Sequence, residues 1–259
     1  MKSKSNSFSL IRVWEILFAG LFMILIWQAV VWTTKVESFI LPAPLAVANA
    51  FISQFSLIWH HTLITAIEVL VGLVLGVVAG ILTALNLTIS KRGRQFIMPA
   101  LVISQTIPVF ALAPLLTLWL GYGLASKIAM AVLIVYFPVT STFLDGLSNT
   151  PKGYLDLAHT MRSPNRSTLM QIRVPAAIPS LTSGIRLAAV YAPIGAVIGE
   201  WVGASNGLGY LMLLANGRVK IDLMFAALVA LCVLTVTIRA IVGLLCNRLE
   251  KWSGLSERN

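Results

Sequence analysis

Residues 60–87 read HHTLITAIEVLVGLVLGVVAGILTALNL, an apolar run whose only charged side chain is Glu68. A helix rises about 1.5 Å per residue, so about 20 apolar residues cross a bilayer core about 30 Å thick. This run is long enough to do so. Similar runs recur at about 14–32, 96–120, 126–147, 177–201 and 222–245. The fold class this implies is all-α, a polytopic membrane protein of six transmembrane helices forming one domain over 1–259. Composition agrees: 58% of residues are hydrophobic and 11% charged, with a mean hydropathy of +0.89. Ordinary soluble chains average about 45–50% apolar and about 25% charged. This chain has too few polar residues to cover a soluble surface, which argues against an ordinary soluble enzyme.

The net charge of +10 is distributed in short segments between the apolar runs, so no nucleic-acid partner is expected. Lys and Arg bias sets orientation. Thirteen lie in the N-terminal tail, the loops after the second and fourth runs and the C-terminal tail, against four on the other side. Both termini are therefore expected in the cytoplasm. The first run follows a short basic tail but is too long for a signal peptide and lacks an A-x-A site after it, so it reads as a retained helix. Cys232 and Cys246 lie in or next to the last run with no disulfide or metal spacing.

Two stretches do not span. Residues 44–58 place Leu45, Ala48, Ile52 and Phe55 on one stripe and Asn49, Ser53 and Ser56 on another, as in a helix lying on the outer leaflet. The loop of about 148–176 is interrupted by Pro151, Pro164 and Pro175. Its spacing predicts two short helices, Tyr154–Met161 and Arg166–Val174, joined by a turn. Loops this long are usually functional or disordered, and a folded connector remains the plain alternative.

The loop resembles the EAA loop, E-A-A-x3-G-x9-I-x-L-P, of permease subunits of bacterial binding-protein-dependent ABC importers. Asp156 stands at the Glu position, Leu157 and Ala158 at the two Ala positions, Arg162 at the Gly, and Ile172, Val174 and Pro175 at the Ile, Leu and Pro. The resemblance continues in Leu41-Pro42-Ala43-Pro44, in Pro114-Leu115 with Trp119 to Gly123, in Pro175 to Pro179 with Gly184-Ile185-Arg186, and in Glu200-Trp201 with Gly207-Leu208-Gly209. It is nearest to the branch that imports sulfonates, taurine, nitrate and pyrimidine thiamine precursors. Arg162 departs from the pattern: glycine suits a turn with φ > 0, which costs other residues about 1–2 kcal/mol.

The resemblance implies a type I importer-like subunit of the bacterial cytoplasmic (inner) membrane. Such a subunit would be a transport component rather than an enzyme, with no cofactor of its own. ATP and Mg belong to a separate cytoplasmic ABC ATPase, consistent with the absence of a G-x-x-x-x-G-K-[ST] phosphate loop here. Further implied partners are an extracytoplasmic substrate-binding protein, a second copy of the chain, and the lipid bilayer. Asp156, Leu157, Ala158, Arg162, Ile172, Val174 and Pro175 would couple to the ATPase. The substrate implied is a small solute or anion, with a pyrimidine precursor favoured slightly over a sulfonate or nitrate.

Candidates for the translocation path come from polar residues within the runs. Ser104, Gln105 and Thr106 precede Pro108, where a helix break frees backbone groups. They line a cavity or simply satisfy a kink. Glu68 and Arg186 fall near mid-membrane, where ionisable groups are costly. They either pair with each other or take separate hydrogen-bonded or cavity-facing roles. Glu200 reads as an anchor for the 202–220 loop, and His60–His61 as an interfacial anchor rather than a metal site. Six tryptophans, Trp14, Trp32, Trp59, Trp119, Trp201 and Trp252, lie at span ends as an aromatic belt. The competing functional reading is an ion-driven secondary transporter in which Glu68 carries a proton.

Overall fold

The computed structural model describes residues 4–104 and 106–252, including all side chains except those of 4–17, 91 and 92. Every regular element among them is helical. The order is α1 (Lys4–Thr34), α2 (Pro44–Ser53), α3 (Phe55–Ile89), α4 (Lys91–Ser104), α5 (Val109–Leu120) and α6 (Leu124–Ser148). It continues with α7 (Lys152–Thr160), α8 (Asn165–Thr168), α9 (Val174–Gly203), α10 (Leu208–Gly217) and α11 (Ile221–Trp252). A π turn, Leu169–Arg173, joins α8 to α9.

Four continuous helices are long and apolar enough to cross a membrane: Phe55–Ile89, Leu124–Ser148, Asn165–Gly203 and Ile221–Trp252. The count among the described residues reaches five if the pair Gly93–Ser104 and Val109–Leu120 is one broken span. The first of the six expected runs corresponds to α1, whose side chains are described only from Phe18.

The expected third span, 96–120, is two helices bent by 101° at a short break. Proline explains the site of the break. Pro108 has no N–H, its ring would collide with the carbonyl of Ser104, and it disfavours helical geometry at Ile107. It stands instead at the N-cap of α5. The interfacial helix is also shorter than expected. It ends at Ser53, and Phe55 already belongs to the long α3.

The described residues form two compact units, one within Met1–Trp59 and Leu211–Val229, the other within His60–Tyr210 and Ala230–Asn259. In the first, α1 packs on α2, and the rings of Trp27 and Phe225 lie 5.6 Å apart. In the second, α6 and α9 form the spine. Val135, Val139, Phe143, Ala188, Ala192 and Ala196 are all buried in its core. Lipid tails solvate apolar side chains as well as neighbouring helices do, so membrane helices associate through close packing of small residues. Gly72, Gly76 and Gly80 of α3 face Ala131, Val135 and Val139 of α6, where an added Cβ would lie 2.4–3.0 Å from a side-chain atom. Gly195 of α9 meets the Ala131 backbone, with Cα only 2.7 Å from where a Cβ would stand.

Candidate functional site

Within the 148–176 segment, helix α7 (Lys152–Thr160) belongs to none of the membrane-length helices. Helix α7 starts after Pro151, whose fixed φ suits a helix entry. It buries Ala158 and exposes Asp156. Tyr154, Leu157 and Met161 are spaced three and four residues apart, so they share one face of the helix. They are 51%, 57% and 73% exposed. A short helix that shows solvent an apolar stripe has the form of a docking surface.

The end of α7 is a Schellman motif. The Arg162 N–H donates to the His159 carbonyl at 3.0 Å, and the Ser163 N–H donates to the Ala158 carbonyl at 2.9 Å. That geometry needs a left-handed residue, usually glycine, just past the cap. Arg162 occupies the position at φ +48°. The turn is thus formed despite the side chain, at a conformational cost of about 1–2 kcal/mol.

The second half of the segment differs from expectation. It does not stop at Pro175, because α8, the π turn and α9 run on as one helix over Asn165–Gly203. A proline ring inside a helix collides with the carbonyl four residues back, here that of Gln171, which lies in the π turn. The wider turn accommodates the proline without ending the helix. Ile172, Val174 and Pro175 are half-buried at this junction, so they belong to a continuous rod leading into the span.

The polar residues within the spans arrange differently from the pairing considered above. Glu68 is fully buried, with Oε1 3.1 Å from Nζ of the buried Lys127 on α6. Arg186 lies far along α9 from that pair. It contacts Glu250 of α11 at 2.9 Å and donates to Asn247 at 2.8 Å. Thr182 also donates to Glu250. Glu68 and Arg186 therefore do not pair.

Around Glu68 a second layer of polar contacts fixes the start of α10. The Gly207 N–H donates to His61 Nδ1 at 3.0 Å and the Leu208 N–H to Thr65 Oγ1 at 2.8 Å. Thr65 Oγ1 in turn donates to Glu200 Oε1 at 2.6 Å, and the Gly209 N–H donates to Glu200 Oε2. Three successive amides at a helix start are thereby satisfied, with the Glu200 carboxyl oxygens accepting at the positive end of α10. Gly207 is required here: its φ is +109°, and a Cβ would lie 2.1 Å from Glu200 Oε1.

Of the remaining path candidates, Ser104 lines a concavity of about 270 Å3 with Ile107, Leu112, Leu133 and Tyr136. The hydroxyls of Ser104 and Thr106 donate back to the Leu101 and Ile103 carbonyls, which relieves the helix end at the break. Gln105 lies outside the described residues. Among the described residues no group of three or more His, Cys, Asp or Glu is placed to hold a metal ion.

Sequence reasoning missed three participants. Lys127 reads as an outer-side charge at the very start of the fourth run, yet α6 begins at Leu124 and carries it inside. Tyr154 and Met161 flank the EAA-like positions without belonging to them. The spacing of the two with Leu157 was the signal that would have found them.

Long apolar helices packed through small residues, with a helical knob outside the spans, define a polytopic α-helical membrane protein. Residues 76–251 match the family described as binding-protein-dependent transport system inner membrane component, and the chain belongs to that family. It is a multi-pass inner-membrane transport component. It is 51% identical, over 81% of this chain and 85% of the other, to a probable ABC transporter permease protein of Haemophilus influenzae. It is 41% identical, over 67% and 70%, to the formylaminopyrimidine transport permease protein ThiX of Halalkalibacterium halodurans. A chain of the MetNI methionine ABC transporter, solved in inward facing conformations, shares the fold at a TM-score of 0.57. The match covers 74% of this chain and 94% of that one at 19% identity.

Proposed function

We propose that this chain is the membrane-spanning subunit of an ATP-driven importer. A single permease domain with both termini cytoplasmic forms the translocation path as a dimer, and a separate ABC ATPase drives it. An extracytoplasmic binding protein delivers the substrate. The observation that supports this most is α7, with Tyr154, Leu157 and Met161 exposed on a knob outside the spans. Exposed apolar patches rimmed by polar residues mark interaction sites. The rod over Asn165–Gly203 gives the knob a mechanical link, because displacement at Ile172 and Pro175 is carried into α9. Asp156, Leu157 and Arg162 touch the ATPase in this reading, whereas Ala158, Ile172, Val174 and Pro175 position the knob. Ser104, Gln105 and Thr106 lie at the broken span, where the path would be lined.

The substrate we propose is a small solute of the pyrimidine thiamine-precursor class, supported by the likeness to the formylaminopyrimidine permease. The test is uptake of labelled aminopyrimidine into proteoliposomes containing the chain, its ATPase and its binding protein. Uptake that requires ATP and the binding protein is expected. Uptake driven by an ion gradient without ATPase would contradict the importer reading, and uptake only of a sulfonate would contradict the substrate.

A further inference from the structure

On the side of the second unit that carries the 148–176 segment, α3, α4, α8 and the π turn enclose a concavity of about 850 Å3. Three arginines line it from three elements: Arg94 on α4, Arg166 on α8 and Arg173 in the π turn. No acidic side chain lines it, and no ion pair among the described residues neutralises any of the three. Its floor is apolar, with Leu85 and Ile89 of α3 and Met170 of the π turn. From it an exposed apolar stripe, Val74, Val78 and Leu82, runs along α3.

We propose that this concavity binds an anionic phospholipid. The phosphate sits among Arg94, Arg166 and Arg173, and the acyl chains lie on the α3 stripe. Guanidinium groups match phosphate oxygens as two-pronged donors. The lining residues of α3 are the last two turns of a long apolar span, the depth at which a membrane helix reaches the headgroups. Basic pockets between spans hold anionic headgroups in this way. A solvated basic face would need no apolar floor continuous with a lipid-facing stripe. Helix α7, whose exposed stripe is proposed to meet the ATPase, contributes nothing to the lining.

The test is native mass spectrometry of the full chain, released from nanodiscs of equal phosphatidylglycerol and phosphatidylcholine. The native chain should retain phosphatidylglycerol over phosphatidylcholine by at least about 5-fold. The triple variant Arg94→Gln, Arg166→Gln, Arg173→Gln should lose that preference, while Arg218→Gln with Lys220→Gln, outside the concavity, should keep it. If the triple variant does not fold, Arg94→Gln and Arg166→Gln singly, both at exposed positions, should each reduce the preference. Equal retention of the two lipids by the native chain, or an undiminished preference in the variants, would overturn the proposal. So would inorganic phosphate abolishing the preference, which would mark a soluble-anion site. Loss of ATPase binding in the triple variant with lipid preference intact would instead make the concavity a protein-docking face.

Discussion

Two helix termini in this chain are completed in opposite ways. At the start of α10, the amides of Gly207, Leu208 and Gly209 are received by His61, Thr65 and Glu200, side chains from two other helices, beside the buried Glu68–Lys127 pair. At the end of α7, the Arg162 and Ser163 amides return to carbonyls of the same helix. The first terminus exists only because distant parts of the chain have already assembled. The second is locally self-contained, and the apolar side chains around it face outward. A terminus built from tertiary contacts holds the protein together, whereas one built locally leaves its surface available to a partner.

The strongest way to break this contrast is at the buried pair. Lys127→Met should destabilise the folded chain by about 3–5 kcal/mol, because it leaves the buried Glu68 without its cation. Combining it with Glu68→Leu should recover most of that loss, since an apolar pair of similar volume is often neutral. Thermal unfolding of the four chains of this cycle in one detergent measures the coupling. Additive effects of the two changes would contradict the pair.

Next in size is the helix contact beside it. Gly195→Ala places a Cβ against the Ala131 backbone, so α6 and α9 must separate, at about 1–3 kcal/mol. The same unfolding assay reads it, and Gly153→Ala, where nothing lies within 4 Å, is the control at an open position.

The locally built terminus should respond in the other direction. Arg162→Gly removes the left-handed penalty, partly offset by the greater freedom of glycine in the unfolded chain. The net expected is a stabilisation of about 0.5–1 kcal/mol. A destabilisation would mean that the Arg162 side chain makes contacts worth more than its backbone strain.

The spans and the knob were legible because each is a local pattern. Hydropathy marked the run at 60–87, and the spacing from Asp156 to Pro175 marked the loop. What the sequence hid depends on registers between helices. Lys127 is 59 positions from Glu68 in the chain, and nothing local says that α6 turns it inward toward α3 rather than toward solvent. Arg186 reads as lying at a depth similar to Glu68, but it meets Glu250 near the end of α11 whereas Glu68 meets Lys127 near the start of α6, so the two are separated along the spans. Pro175 reads as a stop. Only the π turn before it, a backbone adjustment with no sequence signature of its own, allows the helix to continue. Pro108 reads as a kink, and a proline marks where a helix breaks without setting how far the chain turns, here by 101°.

The smallest stability effect belongs to the knob's exposed face, and it carries the central claim. Leu157→Arg, Met161→Arg and Asp156→Lys change surface side chains and should each shift stability by no more than about 0.5 kcal/mol. The decisive measurement is co-purification of the tagged chain with its ABC ATPase, comparing the native protein with these variants and with Arg218→Gln. The account predicts that the ATPase travels with the native chain and Arg218→Gln but is lost with Leu157→Arg, Met161→Arg and Asp156→Lys, all five chains remaining folded. An ATPase that binds every variant equally, or never binds the native chain, would contradict it.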